Sequence, residues 1–340
     1  MQDKSPKHEI TTPNYDDYVI DPYQAIIDPH IHLWNFGSSA SMPPFLLEEC
    51  ANTISKSGHN ITKTVFVECN TMYRHKGPEH FKSVGETEFA VGMAAMSESG
   101  LYGNCQIAAG IVANVDLQLG EKTDEVIAAH SSASNGRLRG IRCQTAYAKE
   151  GLFQKSAAPE LANRMLTTNY AKGVKKVHAH GLSLDVWCVY SQLNDLIEVA
   201  DRCPNGLIIL NHLGSPFNFE QQTKREEVLN IWRHGIEKLA QRPNIFVKLG
   251  GIGMNVGKQF KRGEGTIKTE ELAANWRLFI EHCIDKFGPE RCMFESNFPV
   301  DRGTCSYRTL WNTFKLISIN YSKKEKSALF YETARRAYKL

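Results

Sequence analysis

No stretch of the 340-residue chain approaches the ~18 consecutive apolar residues of a transmembrane helix, so a membrane-spanning protein is not expected. Neither sign of charge dominates. Lys and Arg total 40 against 37 Asp and Glu, a formal net charge of +3, too small to hold nucleic acid or an anionic membrane surface. No Cys-x-x-Cys pair occurs among the nine cysteines, and the count is odd. Disulfide frameworks favour short secreted chains with even counts, so reduced thiols are expected, with Cys69, Cys143, Cys188 and Cys292 as small core residues in apolar runs. The opening Met1-Gln2-Asp3-Lys4-Ser5-Pro6-Lys7-His8 lacks the apolar core of a signal peptide. A cytoplasmic protein is the resulting expectation. Low-complexity stretches, short repeats and linkers are absent as well, and nothing divides the chain after an N-terminal extension over residues 1–24.

What is present is an alternation. Short apolar runs read as strands at Ala25–Pro29, Thr62–Glu68, Gln106–Ala113, Leu138–Gln144, Leu182–Trp187, Leu207–Leu210, Ile245–Leu249 and Cys292–Ser296. Several are almost wholly apolar, as parallel strands buried on both faces are. Amphipathic segments between them read as helices at Glu86–Ser99, Glu121–Ser132, Pro159–Tyr170, Gln192–Arg202, Lys224–Arg242 and Thr269–Phe287. Tyr307–Ile317 and Lys323–Tyr338 would close the chain. Eight strands alternating with helices predict a single-domain (β/α)8 TIM barrel over residues 25–340. The rival, an open doubly wound sheet, lacks a Gly-x-Gly-x-x-Gly after the first strand.

Barrel active sites lie at the C-terminal strand ends, and polar groups collect there. The ends carry His30 and His32, Glu68 and Asn70, Asn114 and Asp116, Arg142 and Gln144, Asp185, Asn211 and His212, Lys248, and Glu295 and Asn297. Residues i and i+2 of a strand share a side, so His30 and His32 can grip a metal ion or polarise a carbonyl oxygen together. His178 and His180 repeat the spacing but precede the fifth strand, which places them at the opposite end, in a solvated turn after Lys172, Lys175 and Lys176. Arg142, Arg74 and Lys248 are candidate clamps for a substrate carboxylate, Arg142 foremost, with an internal salt bridge to Glu68 or Asp185 as the plain alternative. Trp34, Phe36 and Tyr73 offer stacking rings, or simply packing. Asn255–Thr269, rich in glycine and lysine, reads as a mobile lid.

Five motifs, Ile27-Asp28-Pro29-His30-Ile31-His32-Leu33-Trp34, Gly140-Ile141-Arg142, Leu210-Asn211-His212-Leu213-Gly214-Ser215-Pro216, Val247-Lys248-Leu249-Gly250-Gly251 and Arg291-Cys292-Met293-Phe294-Glu295-Ser296-Asn297-Phe298-Pro299-Val300-Asp301, occur in this order. Together they resemble the amidohydrolase-related family, in its branch of sugar lactonases and pyrone-dicarboxylate lactonases. The resemblance implies a barrel hydrolase whose site includes His30, His32, His212 and position 297. Two departures stand out. The family usually has Asp, its general base and metal ligand, where this chain has Asn297, and an amide neither takes a proton at neutral pH nor binds metal well. The fifth strand also has no His, where metal-dependent members often carry one.

These readings converge on a hydrolase that opens a small carboxylate- or sugar-derived lactone by water attack on the carbonyl. His30, His32 and His212 would polarise the oxygen, Asn297 would position water, and Glu68 is the foremost carboxylate base, ahead of Asp185, Glu295 and Asp301. Arg142, Arg74, Asp185 and Lys248 would bind substrate. The cofactor expectation is either none or one weakly held divalent ion, zinc or manganese, on His30 and His32. The expected partners are a small-molecule substrate and a second copy in a homodimer. Two rivals remain: a metal-dependent decarboxylase of an aromatic or unsaturated acid, and a barrel that binds a metabolite without catalysis.

Overall fold

β1 (Ile26–Ile31) is buried along its whole length, as its apolar run requires. In the computed structural model, which describes residues 15–16, 18–37, 42–148, 158–216, 222–256 and 267–340, seven more strands follow it. They are β2 (Ile61–Val67), β3 (Gln106–Asn114), β4 (Leu138–Arg142), β5 (Ser183–Val186), β6 (Ile208–Leu210), β7 (Ile245–Leu249) and β8 (Cys292–Phe294). All neighbouring pairs are parallel, and the strand order is the sequence order. The ring closes between β8 and β1 through the chain just beyond them: Asn297 N donates to His30 O at 3.0 Å, and His32 N donates to Phe298 O at 2.8 Å. The fold is a (β/α)8 TIM barrel, and its seam runs through two of the motifs singled out above.

Helices fill the connections: α1 (Leu47–Ser57), α2 (Val84–Ser97), α3 (Thr123–Ala133), α4 (Thr168–Ala179), α5 (Leu193–Arg202), α6 (Gln222–Ala240), α7 (Gly253–Val256), α8 (Thr269–Phe287) and α9 (Tyr307–Ile317). Three differences from the sequence reading have physical causes. α1 was not expected; it buries Leu47, Cys50 and Ile54 and stops at Gly58, whose φ of 75° favours a residue without a side chain. The helix expected over Pro159–Tyr170 is two short 3-10 turns, and α4 begins at Thr168, where the Thr167 hydroxyl caps Tyr170 N at 3.1 Å. His178 therefore lies on a helix that buries Tyr170, Val174 and Val177, not in a solvated turn. The last helix is broken into α10 (Lys323–Ser327), a π turn over Ala328–Glu332 and α11 (Thr333–Ala337).

The core has two layers. Strand and helix residues pack between ring and shell. Inside the ring, Ile27, Val65, Val112, Ile209 and Met293 meet Ala334, Ala337 and Tyr338. α11 thus stoppers the N-terminal end of the barrel, tied there by Arg336 to Glu290 O and Lys339 to Gly181 O. Residues 15–16 and 18–24 lie along α8 and α9, where Asn312 Nδ2 donates to Tyr15 O and Tyr18 O. Among the described residues no helix is long and apolar enough to cross a membrane. Most of the expected lid, residues 257–266, lies outside the described residues.

Candidate active site

A cavity of about 290 Å³ opens at the C-terminal strand ends, near the lower end of the ~300–1,000 Å³ typical of small-molecule sites. His32, Glu68, Arg142, His212 and Asn297 line it, and Trp34, Phe36 and Trp187 wall it. Both indoles are fixed by their N–H groups, Trp34 on Pro43 O at 3.0 Å and Trp187 on the Ser215 hydroxyl at 3.1 Å.

His212 is the best-oriented side chain. Its Nδ1 lies 2.7 Å from Glu295 Oε1, which also accepts from the His212 backbone N at 3.0 Å. A carboxylate can only accept, so Nδ1 carries the proton and Nε2 presents a lone pair. The backbone holds this geometry under strain: His212, Leu213 and Ser215 have φ of 55°, 53° and 42°, a region costing non-glycine residues about 1–3 kcal/mol each and concentrated at functional sites. The glycines after β7 make room. A Cβ on Gly250 would stand 2.1 Å from Glu295 O, and one on Gly251 2.0 Å from His212 Nδ1.

His32 donates Nδ1–H to Val67 O at 2.8 Å, leaving Nε2 as a lone pair beside the Asn297 amide. Burial, aided by the Arg142 charge, lowers its pKa to about 3, so it is neutral. In this tautomer it accepts a hydroxyl or ligates a cation; it does not donate to an oxyanion. His30 lies deeper, fully buried, with its ring 4.9 Å from His32 and 4.7 Å from His212. Burial and the Lys248 charge push its pKa well below the usual imidazole value.

Arg142 is spent internally. Its Nε donates to Glu68 Oε1 and a terminal nitrogen to Glu68 O, both at 2.6 Å, and another reaches Asn211 Oδ1 at 3.3 Å. Glu68 is thereby the partner of a guanidinium. Asp185 and Lys248 form a fully buried ion pair at 2.9 Å beneath the cavity, outside its lining. Arg74 is exposed and paired with Glu88, and Tyr73 bonds Asn70; neither lines the cavity. Asn297 does line it, at φ 53°, and donates Nδ2–H to Asp301 Oδ1 at 2.8 Å. Burial raises Asp301 to about 8 against that hydrogen bond. His180 pairs with Asp124 and His178 packs on Gly206, away from the cavity. Trp187 escaped the sequence reading, although its place one residue beyond β5 marks it as a strand-end residue.

Among the described residues, one group of three could hold a metal, and it contains His30 of the expected His30 and His32 pair together with His212 and Glu295. His30, His212 and Glu295 bring ligand atoms within 4.8 Å of one another, all buried. Glu295 Oε2 stands 2.7 Å from His30 Nδ1 without the alignment of a hydrogen bond, and has no other partner. Two imidazoles and a carboxylate whose second oxygen is buried without a hydrogen-bond partner suit a divalent ion, so the donor set fits one.

A barrel with a histidine–carboxylate cluster under its C-terminal loops is the architecture of a barrel hydrolase, and the comparisons agree. Residues 27–340 match the family model described as amidohydrolase, and the chain belongs to that family. It is 30% identical over 334 residues, 93% of this chain and 99% of the relative, to the uncharacterized protein y4mH of Sinorhizobium fredii. It is 30% identical over 177 residues to the L-fucono-1,5-lactonase of Burkholderia multivorans, a match spanning 51% of this chain and 56% of that protein. Among solved structures, an amidohydrolase from Burkholderia multivorans with bound zinc superposes with a TM-score of 0.71 at 22% identity, covering 93% of this chain and 99% of that one.

Proposed function

We propose that this hydrolase opens the ring of a small sugar- or carboxylate-derived lactone. The observation that carries the reading is the His212–Glu295 pair, whose histidine lines the cavity, with Nε2 turned from its carboxylate partner. A histidine oriented by a buried carboxylate is a general base. Water between His212 Nε2 and the lactone carbonyl loses a proton to Nε2 as its oxygen bonds the carbon. Glu295 offsets the imidazolium charge. The Asn297 amide, which lines the cavity, faces the developing oxyanion. The ring C–O bond then breaks, and the imidazolium returns the proton to the leaving alkoxide, giving a hydroxy acid. Base duty passes in this scheme from Glu68, which is held by Arg142, to His212.

When a divalent ion is bound, His30, His212 and Glu295 would hold it, and it would supply Lewis-acid polarisation of a carbonyl in place of the base role of His212, whose lone pair the ion would take. The partial similarity to an L-fucono-1,5-lactonase supports trying sugar lactones first. The test is acid release at constant pH from aldonolactones and pyrone dicarboxylates, with His212→Gln as control and metal content measured on the same sample. Histidine-dependent acid release is expected. A thermal shift with a lactone but no release from any of them would replace the enzyme with a binding barrel.

A further inference from the structure

A chain of buried polar groups runs from the C-terminal helix to the catalytic face. Tyr338, just past α11 and fully buried, donates its hydroxyl to Asp185 Oδ2 at 2.8 Å. The same oxygen meets Lys248 Nζ at 2.9 Å and accepts from Asn211 Nδ2 at 3.0 Å. Lys248 Nζ also lies 5.2 Å above the centre of the Tyr338 ring and 3.3 Å from His30 Nδ1. The lysine is thus located from two directions by one tyrosine: through the hydroxyl and Asp185, and through the ring face. A buried ammonium without such partners would be too costly to keep. Its far side rests on His30, the residue that touches Glu295 opposite His212.

We propose that Tyr338 is a positioning residue for His30, acting through Asp185 and Lys248 from the opposite end of the barrel. Asp185 and Lys248 are then supports of the histidine cluster and not substrate contacts. The alternative role for Tyr338 is packing alone, since it also fills the inner core beside Ile27 and Met293. The two roles separate cleanly, because Tyr338→Phe keeps the ring and removes only the hydroxyl.

The kinetic arm rests on the lactonase reading; the spectroscopic arm does not. Side-chain ¹⁵N–¹H correlation spectra would follow the His30 ring nitrogens, assigned by their loss in His30→Gln. Tyr338→Phe and Lys248→Met should each displace the Nδ1 resonance, and Tyr338→Phe added to Lys248→Met should displace it no further. On any lactone turned over, Tyr338→Phe should lower kcat about tenfold, the usual size of an outer-partner effect, with KM unchanged. If Tyr338→Phe unfolds, Asp185→Asn carries the same expectation. Unmoved His30 resonances in folded variants, or additive shifts, would overturn the proposal. Displaced resonances in a protein that hydrolyses no lactone would uphold it and reject the lactonase reading instead.

Discussion

Glu295 reaches His212 across an intervening strand: β7 separates β6 from β8, yet Oε1 and Nδ1 are 2.7 Å apart. Its other oxygen is equally close to His30, so one carboxylate spans two imidazoles that approach from different strands. If His212 is the base, Glu295→Gln keeps the shape and removes the charge that stabilises imidazolium. Loss of the carboxylate in a comparable serine-protease triad costs about 10⁴ in kcat. A fall of roughly 10³–10⁴ in kcat with little change in KM is expected, checked against an unchanged far-ultraviolet circular dichroism spectrum. Near-normal turnover by the variant would assign base duty elsewhere.

The Arg142–Glu68 pair is almost wholly buried, and Arg142 also holds the Glu68 carbonyl. Breaking such a pair from one side leaves an uncompensated charge, costing about 3–5 kcal/mol. Arg142→Met should lose about that much in urea unfolding. Arg142→Met with Glu68→Met should regain much of it, because neither charge is then stranded. Equal losses in the single and double variants would show that the cost lies in packing and not in charge.

The barrel was legible in the sequence because parallel strands buried on both faces leave dense apolar runs, and all eight fall where those runs are. α1 escaped because Asn52, Thr53, Ser55 and Ser57 dilute its Leu47, Cys50, Ile54 spacing with weak helix formers. His30, His32, His212 and Asn297 were legible as strand-end residues. Their division of labour was not, since the His32 tautomer depends on which carbonyl faces its ring, and that proves to be Val67 O. Nor does sequence choose among Glu68, Asp185, Glu295 and Asp301. The choice follows from the gap left by Gly250 and Gly251, which admits Glu295 to His212.

Glu86 gives a pH-dependent stability. On α2, it accepts from Cys69 N at 2.8 Å and Thr71 N at 3.0 Å through Oε1, while its buried Oε2 has no partner. Burial, with the Glu68 charge behind it, raises its pKa from 4.5 to about 8. Between those values the folded chain holds a proton that the unfolded chain has released. Stability from this group is therefore complete below about pH 4.5 and is lost as pH rises through 8. Glu86→Gln keeps the accepting oxygen and removes the titration. Its melting temperature should exceed that of the parent near pH 8, and the gap should close toward pH 5. A gap independent of pH would refute the assignment.

Gly251 and Gly77 separate steric exclusion from backbone strain. Both have positive φ, 65° and 98°, but a Cβ at Gly77 meets nothing within 4 Å, whereas one at Gly251 meets His212 Nδ1 at 2.0 Å. Gly77→Ala should cost only the strain of a left-handed residue, about 1–2 kcal/mol, and leave turnover intact. Gly251→Ala must also displace the imidazole from Glu295, and small misplacements of catalytic groups cost on the order of a hundredfold in rate. Its kcat should fall at least that far, and turnover that is lost in step with stability in both variants would mean that the glycine serves the fold alone.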